Sequence, residues 1–146
     1  MMRSQVLTRD EETTHVLVFG TDDEVVSTLE AFAREREITA ARFTAIGALR
    51  ELTLGYFDWE RKDYEEIPLA EQVEVLTLAG DIALNGAEPS VHAHVVVGKR
   101  DGSAHGGHLL EARVRPTLEL VLVESPAHLR KEHDPETGLA LIAPRT

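Results

Sequence analysis

The sequence predicts an α+β domain built on a mixed, mostly antiparallel β-sheet with one main helix. Short apolar runs separated by Gly, Pro, Asn and Asp recur along the chain, the pattern of strands joined by turns. One segment alone, opening at Thr21, carries apolar residues at helical spacing. No repeat, linker or low-complexity stretch divides the 146 residues, so a single domain over 1–146 is expected. Its core is placed at about 16–124, with 125–146 as a C-terminal tail.

Residues 1–10 read as a first strand with a frayed start. His15–Phe19 is a short apolar run ending at Gly20, the size of a buried strand. Thr21 then fits a helix N-cap, with Glu24 at capping-box spacing. Asp22 and Asp23 would suit the positive end of the helix dipole. Val25, Leu29, Phe32 and Ala33 form one apolar face, and Arg34–Glu37 a solvated end. From Ala40 the pattern turns to strand. Phe43–Leu49 contains Gly47, expected at a bulge or close approach, and Leu52–Phe57 continues the pattern. Asp58–Asp63 reads as a hairpin connection and Tyr64–Leu69 as its return strand, with Pro68 favouring an edge. In Gln72–Leu78, Val73, Val75 and Thr77 fall on one side, Leu76 and Leu78 on the other. Gly80 punctuates this run, Asp81 reads as turn chemistry, and Ile82–Leu84 extends the strand to a tight turn at Asn85-Gly86. Thr117–Val123 is a further strand after Pro116, ended by Ser125-Pro126. The polar tail His128–Gly138 suggests a helical turn, and Gly138–Ala143 a last short strand.

Composition excludes several chemistries. With no cysteine there is no disulfide, thiolate metal site or catalytic thiol. The formal charge is −11, and Lys and Arg come singly or as pairs, which counts against direct contact with nucleic acid. No apolar run reaches the roughly 20 residues that span a bilayer. Residues 1–12 lack the apolar core of a signal peptide, so a soluble cytoplasmic protein is expected.

Ser90–Leu110 holds four of the seven histidines in 21 positions. If Ser90–Val97 is a strand, His92 and His94 share a face with Ser90 and Val96, and Val91, Ala93, Val95 and Val97 face the core. Two imidazoles at i and i+2 can converge on one ion. The Asp101-Gly102 turn folds the chain back, bringing His105 or His108 beside the pair; spacing does not choose between them. Zinc takes neutral imidazole nitrogens, and open zinc sites commonly have three protein ligands plus water. Gly106-Gly107 allows close backbone approach but lacks both phosphate-binding spacings. His15, His128 and His133 read as surface residues. Glu119, mid-strand beside Val121 and Val123, is a candidate for orienting a ligand histidine or for general-base work; the plainer reading puts it in water on an edge strand.

Phe43-Thr44-Ala45-Ile46-Gly47-Ala48, Leu54-Gly55-Tyr56-Phe57, Glu74–Gly80, His92-Ala93-His94 and Gly106-Gly107-His108-Leu109 together resemble the plant-and-prokaryote-conserved (PPC) domain, over roughly Val16–Glu124. The resemblance implies a mostly antiparallel sheet, a homotrimer, and a fold similar to acetolactate decarboxylase, whose zinc is held by three histidines. It points to His92, His94 and His108 as the ligand set. His105 falls where the family varies, as a bystander or an added ligand. Plant members carry an AT-hook that contacts DNA. Arg113-Val114-Arg115-Pro116 only superficially matches a hook, because Val114 stands where the minor groove requires glycine.

Two functions follow as expectations. One is a trimeric domain holding a divalent metal, zinc first, with a small anionic ligand at its open position and Glu119 as proton carrier if the site is catalytic. The other is a non-enzymatic oligomerisation module associated with DNA-binding proteins.

Overall fold

Two long strands organise the molecule. In the computed structural model of the chain, residues 2–9, 11–126 and 128–144 are described. The order is β1 (Arg3–Arg9), β2 (Thr13–Phe19), α1 (Val25–Glu35), β3 (Ala40–Asp58), β4 (Asp63–Leu69), β5 (Val73–Asn85), β6 (Glu88–Gly98), β7 (Ala104–Glu124), β8 (Arg130–His133) and β9 (Ala140–Ile142). The ends of the strand expected over 1–10, residues 1 and 10, lie outside the described residues.

Among the described residues all strand pairings are antiparallel except β5 with β8, and there is one α-helix, so the mixed, mostly antiparallel sheet with one helix is the observed class. The pairings β3–β5, β5–β6, β6–β7 and β7–β3 form a closed circuit. Closure leaves these four strands without a shared free edge, which protects them from pairing with other chains. Strand β7 runs through Pro116 as one element, where the sequence suggested a separate strand; register shifts against β3 absorb the irregularity. Gly47 sits at a bulge, as expected, and its backbone approaches Thr117 too closely for any side chain.

The core lies between α1 and the sheet. Val25, Leu29, Phe32 and Ala33 are buried, packed in one cluster with Leu17, Phe19, Ile82, Leu118, Leu120 and Leu122. Strand alternation in β2 also carries His15 inward. It is 4% exposed, its Nε2 lies 3.2 Å from Glu124 Oε2, and its ring meets Phe32 edge-on, so it is not the surface residue its isolation suggested.

The helix starts later than Thr21. Asp22 N donates to Val114 O (2.9 Å) and Val114 N to Asp23 O (3.1 Å), so β7 ties this backbone down as a turn ahead of the helix. Asp22 adopts φ 70°, which a helix does not allow. Glu24 is the N-cap instead, accepting from Val26 N (3.2 Å) and Ser27 N (2.7 Å), and from Ala112 N in β7 (3.2 Å). A carboxylate that both caps α1 and ties it to the sheet should outweigh an ordinary cap. Glu24→Ala is therefore expected to destabilise the protein by about 2 kcal/mol, the upper end for caps, in a urea melt.

Two further expectations change. The alternation in β5 breaks at Leu76: a register shift between Val75 and Thr77 leaves Leu76 and Thr77 exposed and turns Leu78 inward. The tail forms β8 before the helical turn expected there, which is confined to 135–137 and closed by Gly138 N donating to Asp134 O (2.8 Å). Strand β5 extends past the start of β3, whose Ala40 pairs Ala83, and β8 takes up the exposed edge at Leu84 and Asn85. The 58–63 hairpin, the β4 edge strand, the turn at 85–86 and the short final strand match expectation. Among the described residues no helix is long and apolar enough to cross a membrane.

Candidate metal centre

Strand register brings the histidines together. His92 and His94 alternate outward on β6 while Ala93, Val95 and Val97 are buried. After the turn at 99–103, β7 returns beside β6 with His108 opposite His94. The β6–β7 register runs from Gly98–Ala104 to His94–His108 and no further, so the strands part where the rings need room. Gly107 has its Cβ direction 2.9 Å from Gly55 O, which lets β7 lie close to β3 at this point. Gly55 in turn pairs with His108 and leaves space for the Tyr64 ring from β4. That ring stacks on His108 at 4.3 Å and 21°, fixing one face of the imidazole.

His92, His94 and His108 offer ligand atoms that all lie within 4.8 Å of one another. Ring centroids are 5.1–5.5 Å apart, with His94 edge-on to both His92 and His108, so the three rings converge. His105 is opposite Val97, on the other face of β7 from His108, exposed, and outside this group. Its Nε2 lies 3.4 Å from Ser103 Oγ.

Burial is the main cause that lowers the pKa of His94, with help from His92. Burial also pushes His108 down to about 4, with His92, His94 and Lys131 adding to the effect. Both imidazoles are thus held neutral, the form that binds metals. In metal-free protein the depressed His108 has a defined sign. The unfolded chain takes up its proton near pH 6.5 and the folded chain only near 4. Stability should be full above about pH 6.5 and fall as pH drops to about 4. Thermal melts across that window, with His108→Ala as control, would show a smaller acid loss in the variant.

The sequence reading missed three surrounding residues. Asp81 is not a turn residue: it stands opposite His92 on β5, with Oδ2 3.8 Å from His92 Nδ1. At 3.8 Å this is a charge contact beyond hydrogen-bond range, which sets a carboxylate beside the three rings. Asp81 Oδ1 and His108 Nδ1 are buried without a hydrogen-bond partner. Unmatched buried polar atoms cost about 1–3 kcal/mol each, and a bound ion would relieve such a cluster, so the residues fit a metal. Tyr64 is the second, its phenol pKa raised by burial. Lys131 on β8 is the third. Burial lowers its pKa, and Asp81 and Glu30 oppose that shift. Cross-strand placement could have flagged Asp81, since its register opposite His92 follows from the Asn85-Gly86 turn.

The structure does not bring Glu119 to this group. It lies eleven residues farther along β7, between Val18 of β2 and Ile46 of β3, in the middle of the sheet rather than on an edge strand. It points outward with the exposed Val121 while Leu118 and Leu120 are buried. His128 and His133 are exposed; His128 Nδ1 contacts Thr39 Oγ1 at 2.6 Å.

A family model described as the Plants and Prokaryotes Conserved (PCC) domain matches residues 7–126. The chain belongs to this family. A PPC protein from Pyrococcus horikoshii is 30% identical, with a TM-score of 0.86 over 99% of this chain and 96% of its own. A metal-containing protein from Archaeoglobus fulgidus is 32% identical, with a TM-score of 0.84 over 99% of both chains. A Bacteroides thetaiotaomicron protein with a provisional DNA-binding label is 28% identical, with a TM-score of 0.87 over 96% of both. A Staphylococcus aureus protein similar to α-acetolactate decarboxylase, at 12% identity and a TM-score of 0.52, shares the fold. The bifunctional protein GlmU of Synechococcus is 34% identical over 113 residues, but the chain spans 17% of its length. In this PPC domain His92, His94 and His108 fall inside the matched region, and β8 with Lys131 lies beyond it.

Proposed function

We propose that this PPC domain holds one divalent metal ion, zinc in the first instance, on His92, His94 and His108. The observation that carries this reading is the convergence of three imidazoles within 4.8 Å, backed by Asp81. When bound, such an ion polarises a carbonyl or activates a water. Within this reading the chain's own residues have distinct parts. Depressed pKa values keep His94 and His108 free to coordinate at neutral pH. Tyr64 stacks on the His108 ring, and Asp81 sets a negative charge beside His92. Three histidines leave a fourth position for water or a small anion.

The domain assembles, in this proposal, as the homotrimer the family resemblance implies. The outer sheet face supports self-association: Ile46 is 61% exposed, Leu76 53%, Val121 43% and Val96 37%. Exposed apolar residues gathered on one face favour burial against another copy. Glu119 sits on this face, so in our reading it serves the assembly surface and not proton transfer. DNA contact fits less well, because Arg34, Arg42, Arg50, Lys99 and Arg113 each pair with an acidic side chain.

Zinc titration of untagged protein by calorimetry, with the mass measured by light scattering, tests the reading. One ion per chain and a mass of three chains are expected. Absence of zinc binding at pH 7.5, together with tight duplex binding that weakens steeply with salt, would replace it with the DNA-associated reading.

A further inference from the structure

Beside the histidines lies a cation that nothing in their own geometry requires. Lys131 is carried by β8, which pairs with β5 at Leu84–Arg130 and Asn85–Lys131. Its half-buried side chain reaches across to β6, where Nζ lies 3.5 Å from both Ser90 O and Ser90 Oγ. These are long contacts for an ammonium with three donors, whose good hydrogen bonds are about 2.7–2.9 Å. Ser90 pairs with Ala83 two positions from the Asp81–His92 pair, so it lies on the face of β6 that presents His92 and His94. Lys131 is close enough to act on His108, Asp81 and Glu30 electrostatically. Glu30 is already engaged, accepting from Val91 N at 3.2 Å.

We infer that Lys131 and Ser90 form the seat for the carboxylate of a small ligand whose other oxygen occupies the open face of the three-histidine site. This rests on the metal reading above and gives that site a ligand class. Neutral imidazoles add no negative charge, so a divalent ion there keeps its attraction for anions, and Lys131 adds a second positive charge near enough to act on His108. Lys131 acts as a point charge and Ser90 Oγ adds one hydroxyl donor, two groups for the two oxygens of one carboxylate, with phosphate left as the competing anion. The half-buried setting strengthens the pairing, because water screens it less. Asp81 and Glu30 also face Lys131, so the pocket turns net positive only when a divalent ion is bound, which ties anion binding to metal loading.

Cobalt(II)-loaded protein provides the test, since its visible spectrum reports ligands entering the coordination sphere. Oxalate is the carboxylate probe, imidazole a neutral metal ligand, and inorganic phosphate the competing anion. Lys131→Met should weaken oxalate at least tenfold and leave imidazole binding within about twofold, which separates charge recognition from damage to the metal site. Lys131→Arg should retain oxalate within about threefold; it also serves if the methionine variant fails to fold, with Lys131→Gln supplying the charge loss. Unchanged oxalate affinity on losing the charge would overturn the carboxylate seat while leaving the metal site standing. Phosphate bound more tightly than oxalate would overturn the ligand class. Failure of the wild-type protein to bind cobalt would remove the metal reading and this inference together.

Discussion

His92→Ala/His94→Ala should reduce metal content from about one ion per chain to background, with the fold intact. The loss is expected to be complete because a single remaining imidazole, His108, gives no chelate, and open zinc sites rely on three protein ligands. The fold should survive because His94 is exposed and His92 is half exposed, with their β6 neighbours Ala93, Val95 and Val97 supplying the buried side. Removing the two rings also removes the influences that help hold His108 at about 4. Elemental analysis beside circular dichroism reads both consequences at once. Metal retained by the double variant would place the ion elsewhere. Metal lost together with the strand signal would make the histidines structural.

Gly80→Ala should be the most damaging single-methyl change near the site. A Cβ at Gly80 would lie 2.3 Å from His92 O and 2.5 Å from Cζ of Phe43. The first is backbone of the strand that carries two of the histidines; the second belongs to a core ring that is 3% exposed. Neither neighbour can step aside without separating β5 from β6 or β3, to which Gly80 is paired through Ala93 and Phe43. Overpacking of this kind costs about 3 kcal/mol, or roughly 10 °C in Tm for a chain of this size. Because the shift would displace His92 against Asp81, the variant should also bind zinc less tightly than wild type in calorimetry below its Tm. A melting temperature equal to wild type would show that β5 and β6 separate more easily than their register implies.

The site was readable where chemistry and period coincide. His92 and His94 fall on one face because a strand has period two, and Asp101-Gly102 marks the return that brings a third histidine. Choosing His108 over His105 from the residues alone was not possible, because the register across that turn is settled only by pairing: His94 meets His108, and His105 meets Val97. Asp81 was misread for a related reason. A glycine before it looked like punctuation, but Gly80 is bare because two strands crowd it. Helix α1 was legible by its apolar face, whereas its start was not. Thr21–Glu24 has capping chemistry, but long-range hydrogen bonds to Val114 override it. Lys131 carried no sequence signal. It reaches the site through the parallel pairing of β8 with β5, a contact between segments about 46 residues apart in the chain.

X-ray absorption spectroscopy at the zinc edge of reconstituted wild-type protein tests the three-histidine centre most directly. The expected spectrum has three imidazole nitrogens at about 2.0–2.1 Å, with outer-shell scattering from the rings, and one further light oxygen or nitrogen ligand. A shell of oxygens without ring scattering would contradict a centre built on His92, His94 and His108.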